Sequence, residues 1–126
     1  MKIKIQTIPH KKQRYETIGD WYYDKGNLII NVSDMGDWRY EALVAIHELI
    51  EERLCKSKGI SQEAVDKFDM NWHNESSYDE SGDDPQAPYH KQHVIAGAIE
   101  RLLALEMGVD WYKYTDTLDG LTKTPE

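Results

Sequence analysis

The order of elements predicts an α+β fold, with a small N-terminal antiparallel β-sheet of about three strands packed with three α-helices. Three observations carry this. Residues 2–8 (KIKIQTI) alternate Lys and Gln with Ile, the period-2 pattern of a half-buried strand. Two β-rich runs, 15–23 and 28–33, flank a turn. From Trp38 onward the apolar residues recur at helical spacing between Ser, Asp and Gly punctuation.

The elements follow in order. Pro9 closes the first strand, because it has no N–H for a ladder. Asp24-Lys25-Gly26-Asn27 reads as a hairpin turn in which Gly26 and Asn27 tolerate positive φ. Ser33, Asp34, Gly36 and Asp37 announce a helix from Trp38 to about Lys58, closed by Gly59. Ser61 caps a second helix, Gln62 to about Trp72. Residues 74–88 are polar without periodicity and read as a loop. A third helix runs from Tyr89 to Met107, with Gly108 beyond it. Trp111, Tyr112 and Tyr114 are expected to pack back on a single domain, 1–118, with 119–126 frayed.

Composition narrows the function classes. The chain has 126 residues and a formal net charge of −8. That balance argues against a basic nucleic-acid footprint and against docking on an anionic membrane. No apolar run reaches the ~18–20 residues of a transmembrane helix, and no signal-peptide core follows the basic N-terminus. The expectation is a cytoplasmic protein. A lone Cys55 excludes an internal disulfide framework and a Cys-based zinc finger. Charge is unevenly spread: Lys2, Lys4, Lys11, Lys12 and Arg14 stand without acids in 1–14, and Glu75, Asp79, Glu80, Asp83 and Asp84 without bases in 74–88. Such blocks read as solvated faces, or as two segments that attract each other. The acidic loop lacks the spacing and terminal Glu of a calcium-binding EF-hand.

Chemistry concentrates in Leu43-Val44-Ala45-Ile46-His47-Glu48-Leu49-Ile50-Glu51-Glu52. On a helical wheel, Leu43, Val44, Ile46, His47, Ile50, Glu51, Leu54 and Cys55 form one arc. Glu48 lies at its edge, and Glu41 and Glu52 fall outside. A carboxylate inside an apolar arc loses several kcal/mol of hydration unless something compensates it. A metal ion is the natural compensation: His47 and Glu51, at i and i+4, sit roughly 5–6 Å apart at Cβ and can grip one ion. Their nitrogen and oxygen donors suit Zn²⁺, with Mn²⁺ and Fe²⁺ also compatible.

His47-Glu48-Leu49-Ile50-Glu51 resembles the active-site helix of the zincin-type metallopeptidases, with Glu51 where the second histidine would stand. The strand-then-helix context is similar to that of small zincin-like domains. The resemblance implies that His47 and Glu51 bind zinc and that Glu48 is the general base. The chain as a whole is similar in style to small phage or prophage proteins.

The third helix supplies further candidates. On its wheel Ile95, Ala96, Ile99, Leu102, Leu103 and Met107 form the expected core arc, with His93 and Glu100 together at one edge. Ala96, Gly97 and Ala104 let another helix approach closely. His93 is then the third ligand, Glu100 a further ligand or a group orienting a ligand histidine, and His90 the spare. The expected function is a metal-dependent hydrolase. Two other readings stand beside it. Glu48, Glu51, Glu52 and Glu100 resemble the paired acidic helices of the all-α nucleotide pyrophosphohydrolases, which use Mg²⁺. A non-enzymatic protein that binds and blocks another protein would carry the same set as structure.

Overall fold

The computed structural model describes residues 1–72 and 78–122. The fold is α+β: a three-stranded sheet of β1 (Ile3–Ile8), β2 (Gly19–Asp24) and β3 (Asn27–Ser33), followed by α1 (Trp38–Ser57), α2 (Gln62–Asn71), α3 (His90–Glu106) and α4 (Trp111–Thr122). Among the described residues no helix is long and apolar enough to cross a membrane.

The sheet is mixed rather than antiparallel. Its order is β1-β3-β2. β3 pairs antiparallel with β2 through the hairpin and parallel with β1, Ile5 opposite Ile30. The segment between β1 and β2, which includes a short 3₁₀ turn at His10–Lys12, carries the chain past the position that β3 later fills. Alternation in the sequence reports a strand; it does not report which neighbour the strand takes or in which direction. At the hairpin, positive φ falls on Lys25 and Gly26 rather than on Gly26 and Asn27.

One sheet face is the core. Leu28, Ile30 and Val32 of β3 and Trp21 of β2 are buried there, and α1 packs on β2 and β3. Burying a side chain such as Leu28 or Ile30 contributes about 1.5–3 kcal/mol. The other face is polar, with Gln6 Nε2 donating to Asn31 Oδ1 at 2.8 Å. β1 lies at the edge, and Ile3 and Ile5 remain about half exposed.

Local chemistry sets the helix ends. Asp37, the last of the start signals, is the N-cap of α1 and accepts from the Arg39 amide at 2.9 Å. Ser61 caps α2 through the Ala64 amide. Gly59 and Gly108 take positive φ just beyond α1 and α3. The fourth helix replaces the expected irregular tail: Asp110 Oδ1 accepts from the amides of Tyr112 and Lys113 and so starts α4. Residues 119–122, expected to fray, belong to α4; 123–126 lie outside the described residues.

Two wheel assignments are corrected. Glu52, placed outside the apolar arc, is fully buried. Its carboxylate is satisfied there by the Tyr23 hydroxyl and by Arg53, whose Nη2 donates at 2.8 Å. On α3 the buried line is Gln92, His93, Ala96, Glu100 and Ala104, while Ile95, Leu102 and Leu105 face solvent. The helix is rotated because its line of small residues lies against α1, which lets the two backbones come close.

Candidate metal centre

Three elements build the site. α1 delivers His47, Glu48 and Glu51 from successive turns of one face, and α3 delivers His93 and Glu100. The short 3₁₀ segment Ser81–Asp83 brings up Glu80 and Asp83. His47, Glu51, His93 and Glu100 are all buried.

Close approach depends on two glycines. A Cβ on Gly19, in β2, would lie 2.7 Å from Val44 Cγ1 and 2.8 Å from Glu48 Cγ. A Cβ on Gly82 would lie 2.5 Å from His93 Cγ and Nδ1. Gly19 lets α1 settle on the sheet at Glu48, and Gly82 lets the acidic segment close over the His93 ring.

Three donor atoms converge. His47 Nε2 is 3.2 Å from Glu51 Oε2, His93 Nδ1 is 3.1 Å from the same oxygen, and the two ring nitrogens are 3.2 Å apart. Ligands about 2.0–2.1 Å from a tetrahedral zinc ion are separated by roughly 3.3 Å. The triangle already has nearly that size.

The far side of each side chain is also held. His47 Nδ1 lies 2.7 Å from Glu100 Oε1, and the Tyr114 hydroxyl donates to Glu100 Oε2 at 2.6 Å. His93 Nε2 lies 3.0 Å from Asp83 Oδ1 and 3.2 Å from Glu80 Oε2. Trp21 Nε1 donates to Glu51 Oε1 at 3.1 Å. A carboxylate only accepts, so each imidazole carries its proton on the outward nitrogen. In the neutral rings the inward nitrogens then present lone pairs, beside an anionic oxygen. Three acceptors facing one another need a cation, either protons or a metal ion.

The titration behaviour agrees. Burial opposes charge on His47, but Glu100 and Glu51 raise its pKa well above the ordinary histidine value. Burial likewise opposes charge on His93, and Asp83, Glu51 and Glu80 outweigh it. Burial pushes Glu51 upward, yet the hydrogen bonds of His47 and His93 hold it down at about 2. Glu48 behaves oppositely: burial, then the charge of Glu51, pushes its pKa well up. Glu48 has no hydrogen-bond partner among the described residues and lines the same cavity of about 360 Å³ as His47, Glu51 and His93.

The structure therefore brings together His47, Glu51 and His93, puts Glu48 beside them, and places Glu100 behind His47 rather than among the converging atoms. His90 is turned away, its Nδ1 2.9 Å from the Gly82 carbonyl, where it ties the acidic segment down. Cys55 is buried, its thiol pushed up to about 12 by burial and nearby carboxylates. His73, at the end of the expected second helix, lies outside the described residues. Sequence reasoning missed Trp21, Glu80, Asp83 and Tyr114. Glu80 and Asp83 stood inside a charge block that read as solvated, and Asp83 Oδ1 in fact accepts a hydrogen bond from His93 Nε2. Compared with known proteins, the chain matches no family model, no curated protein and no solved structure.

Proposed function

We propose that the chain is a zinc-dependent hydrolase, with His47, Glu51 and His93 as the ligands and Glu48 as the general base. The observation that carries this reading is the triangle of three inward acceptors, each fixed from behind by a separate hydrogen bond. Metal-binding histidines are commonly oriented in this way, by a carboxylate on the second ring nitrogen. Two nitrogen donors and one carboxylate suit Zn²⁺ better than Mg²⁺, which prefers oxygen ligands. This favours the hydrolase over the nucleotide pyrophosphohydrolase reading.

When bound in such a site, zinc lowers the pKa of a coordinated water from ~16 towards ~7. The protein's own part is to hold and move protons. Glu48, desolvated and without a hydrogen-bond partner among the described residues, accepts the water proton and returns it to the leaving group. Burial and the charge of Glu51 raise its pKa well above the usual carboxylate value, so it holds a proton taken from the water long enough to return it. Glu51 adds negative charge to the ligand set, which favours slower turnover than a second neutral histidine would.

The test is turnover of amide and ester substrates by protein loaded with zinc, compared with protein treated with a chelator. Zinc-dependent hydrolysis that Glu48→Gln abolishes, with zinc still bound, supports the reading. Zinc bound without turnover on any acyl substrate rejects catalysis and leaves a structural metal. Full activity in Glu48→Gln rejects the base assignment.

A further inference from the structure

The cavity at the candidate metal centre has an unusual wall. Ten of the residues that line it are Asp or Glu, and none is Lys or Arg. Arg14, which touches the wall from outside it, offsets one of these charges and a dication two more, so carboxylates still outnumber positive charges. The field inside such an acid-lined, low-dielectric cleft concentrates cations and repels phosphates and carboxylates.

Charge is not the only signal. Tyr15, Trp21, Trp72 and Tyr89 also line the cavity. Aromatic faces beside carboxylates suit an ammonium or guanidinium group. The protein's own Arg14 illustrates what the wall holds. Its guanidinium donates to Asp20 at 2.7 and 2.9 Å and to Asp66 at 3.0 and 3.1 Å, both cavity residues, and it lies 4.6 Å from the Tyr22 ring centroid. At about 360 Å³ the space is at the small end of ligand pockets, which start near ~300 Å³. It matches one amino-acid-sized group rather than a nucleotide.

We propose that the substrate carries a positive charge, a Lys- or Arg-type side chain or a small polyamine, next to the bond presented to the metal centre. The proposal rests on the hydrolase reading for the words "substrate" and "bond", but the cation preference rests on the cavity wall alone. It also places the acidic composition of the chain in a specific role: the carboxylates around the site select charge.

Calorimetric titration of the zinc-treated full chain tests this with three probes: N-acetyl-arginine amide, its size-matched neutral isostere N-acetyl-citrulline amide, and the anionic N-acetyl-glutamate amide. The expected result is at least tenfold tighter binding of the arginine probe than of its neutral citrulline isostere, and no detectable binding of the glutamate probe. Raising the salt from 0.05 to 0.5 M should weaken arginine binding severalfold, because screening shortens the reach of the wall charges. Asp79→Asn, which changes an exposed lining residue, should weaken it by roughly two- to fivefold. Equal binding of the arginine and citrulline probes, or none by either, overturns the proposal. The two readings fail separately. Zinc retained without charge discrimination removes the cationic substrate and leaves the metal centre. Charge discrimination in a chain that retains no zinc removes the hydrolase and leaves a cation-binding cavity.

Discussion

Gly82→Ala is a small change with a large expected effect on the proposed metal centre. The new Cβ would sit 2.5 Å from Cγ and Nδ1 of His93, and 2.9 Å from Cδ2. Carbon contacts settle at about 3.5–4.0 Å, so the ring or the segment must move by roughly 1 Å. The segment resists, because His90 holds the Gly82 carbonyl and Ser81 is bonded to Asp69 and Tyr89. The ring therefore moves, and its Nδ1 leaves the triangle with His47 and Glu51. Metal–ligand distances tolerate only about 0.2 Å, so a displacement of that size costs a ligand bond. The expected loss is about 10–100-fold in zinc affinity, or about 1.4–2.8 kcal/mol. Competition of the purified protein against a chelator of known affinity measures it. Gly97→Ala is the control, since it lies on the same helix as His93 and its Cβ would meet nothing within 4 Å. That variant should bind zinc normally and gain about 0.5–1 kcal/mol of helix stability. Unchanged zinc affinity in Gly82→Ala would refute the placement of His93 as a ligand.

Further outcomes follow from the same geometry. Tyr114→Phe removes the donor to a buried oxygen of Glu100; denaturant unfolding should show a loss of about 1–3 kcal/mol, and zinc should bind more weakly because His47 loses its support. Leu43→Ala, in the buried core and not among the residues lining the cavity, should cost about 2–5 kcal/mol of stability by the same unfolding measurement while the folded fraction keeps its zinc affinity. The pH dependence should reverse with metal. In chelated protein, carboxylates raise His47 and His93 above their unfolded value, so the folded state holds protons that the unfolded chain releases above about 6.5, and stability falls as pH rises through that point. In zinc-loaded protein the ligands must be deprotonated, so the metal's contribution is lost as pH falls. Thermal unfolding between about pH 6 and 8 should give opposite slopes for the two forms, and parallel slopes would contradict the ligand assignment.

The parts of the fold that were legible in the sequence are those set by short-range chemistry. Asp37 and Ser61 act as caps because a side-chain oxygen finds an amide two or three residues on. Gly59 and Gly108 end helices because a positive φ is easy for them. The pairing of β1 with β3 was not legible, because strand direction is decided by residues 25 positions away. The face of α3 was misread for a similar reason. A wheel ranks residues by polarity, but this helix buries His93, Ala96, Glu100 and Ala104 because α1 offers partners for the first and third and close approach for the others. Glu52 shows the same limit: Tyr23 and Arg53 make its burial tolerable, and neither is visible from a wheel.

The candidate site was legible to the extent that it lies on two helices. His47, Glu51, His93 and Glu100 were each marked by position within or beside an apolar arc. Their division into converging atoms and supporting groups needed the side-chain geometry, which puts Glu100 on the outward nitrogen of His47. Glu80 and Asp83 were hidden because a run of acids reads as a solvated loop. Only the folded chain shows that Ser81–Asp83 returns to α3 and gives His93 its outward acceptors.

Elemental analysis of the purified chain, after dialysis against limited zinc, tests the proposed metal centre most directly. Zinc near one equivalent per chain, lost in both His47→Ala and Glu51→Gln while each variant remains folded by circular dichroism, is the predicted result. A folded wild-type chain that retains no zinc, or one whose zinc survives both substitutions, would contradict it.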